Sequence, residues 1–245
     1  MPKRRPAKKR SPAAAVLLAV LCLLLLAVSR YLDSRSEPAA SVSAPEAAQA
    51  DASGLEVHFL DIGQGDSALL FCGDETLLID GGKVKNNQKL IARLKELEVD
   101  HLDAVICSHP DEDHCGGLSA VLASTRTDAF YCSVDSWHTK VFSDVTKYVA
   151  EQGISVTIPQ AGDTFAFSDA SVEFLGPVVD YGDDPNEGSL VARVRYGETS
   201  FLFTGDMGFE AEDDMLAAGV DVSATVLKVA HHGSAGSCLL YTSPS

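Results

Sequence analysis

Apolar residues in this chain fall into short runs separated by polar turns, and two periods can be read from them. Continuous or alternating runs predict strands at Val57–Leu60, Ala68–Phe71, Thr76–Ile79, Leu102–Cys107 and Ala129–Cys132. Further short strands are expected at Ser155–Ile158, Thr164–Phe167, Val172–Leu175, Leu190–Val194, Ser200–Phe203 and Ala224–Ala230. Helical spacing of Leu90, Ile91, Leu94 and Leu97 predicts a helix over Asn87–Val99, with others near Leu118–Leu122, Val141–Gln152 and Glu210–Ala218. The turns Asp61–Asp66 and Tyr196–Glu198 close two hairpins. Hairpins mixed with strand–helix alternation point to an α+β domain, a layered α/β/β/α arrangement, and not to a plain doubly wound sheet.

The polar residues gather where strands end. After the apolar run Leu102–Cys107 comes Ser108-His-Pro-Asp-Glu-Asp-His-Cys-Gly-Gly117, which packs His109, Asp111, Asp113 and His114 into one loop before the next helix. A strand that empties into such a loop brings several side chains around one point beyond its carboxyl end, where α/β sheets bind ligands. Imidazoles suit zinc, and carboxylates accept zinc, manganese or iron, so the mixture points to a centre that activates water. Two more apolar runs end alike: Phe201–Phe203 leads to Asp206, and Thr225–Ala230 leads to His231 and His232. Three strand ends delivering His and Asp can converge on one rim and complete two metal shells. Asp80, after a fourth run, is assigned a place behind the ligands, accepting hydrogen bonds.

Composition narrows the reading. The chain has 245 residues, 46% of them hydrophobic, which suffices for a real core. Residues 1–50 carry eight Lys or Arg and three Asp or Glu, leaving eleven and 32 for the rest. So acidic a body argues against a passive nucleic-acid binder, which needs a basic stripe. It does not exclude an enzyme that meets phosphates through bound cations. Lys3 to Arg10 and the apolar stretch Ala13–Val28 form a signal peptide or N-terminal membrane anchor (residues 1–30), with the positive end cytoplasmic and the body exported. Residues 31–53, rich in Ala, Ser and Pro, suit a flexible linker. The cysteines form no CxxC pair, and Cys115 is read as a packing residue.

Taken together, Val57–Ser67 with its Gly-Gln-Gly-Asp turn, Leu78-Ile-Asp-Gly-Gly82, the ligand loop, Phe203-Thr-Gly-Asp206 and Leu227-Lys-Val-Ala-His-His-Gly-Ser234 resemble the metallo-β-lactamase superfamily. Within it they are similar to the hydrolase domain of the DNA-uptake competence protein ComEC and its free-standing exported relatives. The resemblance implies a four-layered αβ/βα sandwich with two divalent metal ions, zinc or alternatively manganese, at the edge of the sheets. It implies that His109 and Asp111 bind one ion, Asp113 and His114 the other, and Asp206 bridges them, with His231 or His232 completing the second set. The competence-type branch carries an aspartate where Asp111 stands. Between His138 and His231 the chain offers no histidine, and Asp184-Pro-Asn-Glu-Gly-Ser189 occupies that place, with Asn186 and Ser189 as substrate-binding positions. The family fold also implies another strand–helix–strand passage after Ser234, for which eleven residues remain, and Cys238–Ser245 resembles translated adapter. The expectation is a hydrolase domain at 54–237, truncated at its C-terminus, with a foreign tail at 238–245.

The function expected from this constellation is an exported, extracytoplasmic metal-dependent hydrolase. Two cations would supply hydroxide near neutral pH, with Asp113 orienting it and the Gly233–Ser234 backbone stabilising charge. Carboxylate-rich ligation and the resemblance favour a phosphodiester, extracellular nucleic acid included, with the membrane as a partner if the leader is uncleaved. Two alternatives remain: a lactone, thioester or β-lactam hydrolase on the same centre, or a non-catalytic exported binding module.

Overall fold

A computed structural model describes residues 54–237. The leader expected at 1–30, the linker at 31–53 and the tail at 238–245 lie outside the described residues. Two sheets face each other. The first has the order β1 (Leu55–Phe59), β2 (Ala68–Cys72), β3 (Glu75–Ile79), β4 (His101–Cys107), β5 (Arg126–Cys132), β6 (Val156–Thr157). The second runs β11 (Val226–Lys228), β10 (Thr199–Phe203), β9 (Val191–Tyr196), β8 (Ala170–Gly176), β7 (Thr164–Phe167). Helices α1 (Asn87–Glu96), α3 (Leu118–Ser124) and α4 (Lys140–Glu151) join strands of the first sheet, α2 (Glu112–Cys115) is a single turn, and α5 (Phe209–Ala217) connects β10 to β11.

Side-chain alternation explains the layering. Leu69, Leu78 and Val105 point from the first sheet toward Leu90, Leu118, Val121, Phe142 and Val145 of the helices. Their neighbours Leu70, Leu77, Ala104 and Ile106 face the second sheet, where Val172, Phe174, Val194 and Phe203 meet them. The far side of that sheet presents Leu175, Val191 and Leu202 to Ala211 and Met215 of α5. A strand buried on both faces must be apolar at successive positions, which is why Leu102–Cys107 shows a run in place of alternation. The result is an αβ/βα sandwich.

Strand direction places the chemistry. β3, β4, β5 and β6 are mutually parallel, so the segments after them emerge at one edge. β10 and β11 are parallel to each other and deliver their carboxyl ends to the second sheet's edge. Leu190 donates its N–H to the Ser108 carbonyl at 2.8 Å, tying the loop before β9 to the loop after β4. Glycine permits the closest approaches. At Gly65 a Cβ would collide with the Asp113 carbonyl, and next to it Asp66 donates its N–H to that same oxygen at 3.1 Å. Thus the β1–β2 turn is pinned against the ligand loop.

Candidate metal centre

Asp80 follows β3 in a left-handed conformation, φ 60°, which costs energy for a residue with a Cβ. That geometry turns its buried carboxylate under the ligand loop. Oδ1 accepts the Ser108 N–H at 2.7 Å, and Oδ2 accepts the Ser108 hydroxyl at 2.8 Å and lies 2.9 Å from Nδ1 of His114. These contacts fix both imidazole tautomers. Ser108 gives its one hydroxyl proton to Asp80, so it accepts from Nδ1–H of His109, 3.0 Å away. Nδ1–H of His114 goes to Asp80. Each ring therefore turns Nε2 inward.

The inward atoms make no aligned hydrogen bond, and the contact between His114 and Asp206 is that of an ion pair. Nε2 of His109, Nε2 of His114 and Oδ1 of Asp206 are buried and make no hydrogen bond among the described residues. Nε2 of His114 and Oδ1 of Asp206 lie 3.1 Å apart, yet out of line for a hydrogen bond. Nε2 of His232 is 3.4 Å from Oδ2 of Asp206. Two atoms on one tetrahedral zinc are roughly 3.3 Å apart, given bond lengths near 2.0–2.1 Å. Leaving buried polar atoms unsatisfied costs stability, so their convergence fits a cation. Asp111 adds to this: it sits at the N-cap of α2, yet its carboxylate caps nothing and lies 3.9 Å from Nε2 of His109.

Asp206 stands at the middle. Its N–H is held by the Ser189 hydroxyl at 3.1 Å, and the preceding carbonyl, of Gly205, accepts from Lys228 Nζ at 2.9 Å and the His231 N–H at 3.1 Å. Burial alone would raise the Asp206 carboxyl, but the imidazoles of His114 and His232 overcome it and hold it well below the usual carboxylate range. For His114, burial opposes the charge, while the carboxylates of Asp80 and Asp206 outweigh it and push the imidazole up to about 10. His232 is raised to about 9 by Asp206 first and Asp66 second. His109 moves the other way, to about 3, through burial and the neighbouring charge of His114.

Most of the expected ligands are brought together, and the structure sorts them. His109, Asp111, Asp113, His114, Asp206 and His232 share the rim, with Oδ2 of Asp113 3.7 Å from Nε2 of His232. His231 stands farther from Asp206, at 3.9 Å. Both histidines adopt left-handed backbone, φ 46° and 52°, in a tight turn after β11. Two expectations on the substrate side are corrected. Ser189 is fully buried and serves the Asp206 backbone, so it has no surface for a substrate. Asn186 is half-buried in its own turn, with its N–H on Asp184 and an enclosed Oδ1 that has no hydrogen bond among the described residues. The Ser234 N–H is likewise spent on the His231 carbonyl at 2.8 Å, which removes it as a stabiliser of developing charge; Gly233 remains exposed beside it.

Two residues without an expected role complete the centre. Asp66, from the Gly-Gln-Gly-Asp turn, forms an ion pair with Lys228 and places Oδ1 3.4 Å from Nδ1 of His232. Its carboxylate groups within 4.8 Å of ligand atoms on His114, Asp206 and His232. The sequence signal was present in both cases, since Asp66 and Lys228 lie inside motifs that point to the site, but a turn aspartate and a strand lysine have commoner structural uses.

Residues 60–240 match the Metallo-beta-lactamase superfamily. The chain belongs to that superfamily. Within the superfamily it is 28% identical over 200 residues to ComE operon protein 3 of Bacillus subtilis, covering 74% of this chain and 26% of that one. Competence protein ComA of Neisseria gonorrhoeae is 29% identical over 231 residues, 91% of this chain and 31% of that one. The chain thus spans about a quarter to a third of these relatives. Among solved metallo-β-lactamase folds, YhfI of Bacillus subtilis superposes with a TM-score of 0.44 at 17% identity, covering 62% of each chain. Superfamily membership and the candidate metal-binding cluster together support a metal-dependent hydrolase.

Proposed function

We propose that this protein is an exported phosphodiesterase working at a two-cation centre. The observation that carries the reading is the convergence of buried ligand atoms from His109, His114 and Asp206 that make no hydrogen bond among the described residues, each residue being held by a hydrogen bond that aims it. His109, Asp111 and Asp206 would hold one cation; Asp113, His114, His232 and Asp206 would hold the other. Divalent ions, zinc or manganese by donor type, supply acidified water and neutralise charge on an oxyanion.

The chain's own groups do the rest. Asp80 fixes the orientation of His114 and, through Ser108, of His109. Asp66 faces Nδ1 of His232, the nitrogen turned away from Asp206, so it orients that ring in the manner of a carboxylate behind a metal-binding histidine. Lys228 anchors Asp66 and keeps a cation 4.0 Å from Asp206, where it limits the excess of negative charge. Asp113, partly exposed at the rim, is placed to accept a proton from attacking water. Five carboxylates in or beside the ligand set, those of Asp66, Asp80, Asp111, Asp113 and Asp206, favour hard cations and phosphoryl oxygens over softer chemistry. The relatives' printed names, a competence protein among them, support a nucleic-acid connection.

The test is a substrate panel on purified full chain with zinc or manganese. Hydrolysis of bis(p-nitrophenyl) phosphate, lost in Asp113→Ala and Asp206→Ala with metal-free folding intact, is the expected result. Turnover confined to lactones or thioesters would contradict the phosphodiester reading.

A further inference from the structure

Beside the metal centre lies a cleft that none of the ligands uses. β8 and β10 are both antiparallel to β9, so the segment after β8 emerges at the same edge as Asp206. That segment and those after β5 and β6 enclose about 400 Å³. A buried stretch of chain separates the cleft from the centre and touches both: Leu190 lines the cleft and bonds to Ser108, and its neighbour Ser189 holds Asp206.

The lining has a definite character. Trp137 enters from the first sheet's side, packed against the helix-layer core. Tyr181 enters from the other side, packed on the α5 layer, and its hydroxyl donates to Asp214 at 2.9 Å, which fixes the ring. Ile158 and Val179 stand at the cleft 43% and 47% exposed, large apolar groups that a bound ring would cover. Asp180 and Asp184 supply negative charge, and no Lys or Arg lines the cleft among the described residues. Each carboxylate uses Oδ1 in a local turn and keeps further lone pairs for an amine donor.

We propose that this cleft binds the planar, uncharged ring of a nucleoside-type group on the substrate ester, and that it rejects a flanking phosphate. Aromatic faces accept a ring by stacking, while the two carboxylates take ring amino groups and repel a second anion. The site therefore suits a small diester with one nucleoside end in preference to a polynucleotide strand, whose next phosphate would meet Asp180 and Asp184 without a cation. This rests on the phosphodiesterase reading only for the bond that is cut; ring binding stands apart from it.

Trp137 is the chain's only tryptophan, so all tryptophan emission comes from the wall of this cleft. Full chain kept metal-free by chelator is titrated with adenosine, ribose and choline while that emission is followed. Saturable quenching by adenosine, with ribose and choline silent, is expected. Tyr181→Ala, and Val179→Asp at the exposed rim, should each weaken adenosine about tenfold without altering the circular dichroism. No saturable response to adenosine, choline binding as tightly, or an unchanged Kd in both variants overturns the proposal. Because neither metal nor turnover enters, failure here leaves the hydrolase reading intact, and loss of hydrolysis would leave the binding result intact.

Discussion

Asp80 shows how a single side chain can set the chemistry of its neighbours. Its carboxylate accepts the Nδ1–H of His114 directly and holds that of His109 through Ser108, so both Nε2 atoms point at one place. Asp80→Asn tolerates the left-handed backbone but loses the charge that aims the imidazoles. We expect divalent-metal affinity to fall roughly 10–100-fold in competition titrations against a chelator, with the fold retained. Protons should follow the same logic. Without metal, His114 and His232 are raised to about 10 and about 9, so both are charged at pH 7, whereas His109 is already neutral. A cation must displace those two protons. Calorimetry in buffers of different ionisation enthalpy should therefore show about two protons released per chain at pH 7, with affinity rising with pH until about 10, less steeply above about 9. At this scale the sequence was legible where residue type is diagnostic, as in His109-Pro-Asp-Glu-Asp-His114. Asp66, Lys228 and Ser189 were not, because their roles depend on which neighbours the fold presses against them.

Elements were legible from their period, and their ends were set by pairing. The parallel strands and both hairpins lie where the apolar runs place them. β11 is shorter than the run Ala224–Ala230 because it pairs only with β10, over three residues, before the backbone turns left-handed into the histidines. α1 stops at Glu96, before Val99, as Glu98 takes φ 58°. α2, one turn long, is too short to show a period at all. What holds β11 in place is less visible in sequence: Arg193 of β9, nearly buried, pairs with Glu173 at 2.7 Å and donates to the carbonyls of Asp221 and Ser223 just ahead of β11. Removing it exchanges those contacts for water at the exposed Asp221 and Ser223 and takes the partner from the half-buried Glu173. We expect Arg193→Met to cost roughly 1–3 kcal/mol in urea unfolding, and to weaken metal binding because His232 and Lys228 lose their support.

For the whole molecule, two sheets from different stretches of chain pack face to face and close, at one common edge, a centre that neither could form alone. The first sheet contributes Asp80, the ligand loop and the Asp66 turn; the second contributes Asp206, Lys228 and the paired histidines. Such a centre can be foreseen as a list of residue types, yet its sorting into ligands, orienting groups and buried supports requires the packing of the layers. The most direct test of the account is the metal content of the folded full chain after equilibration with zinc or manganese and removal of free ion. The account predicts about two tightly held divalent ions per chain, both lost in Asp206→Ala. A folded chain that retains no stoichiometric metal would contradict it.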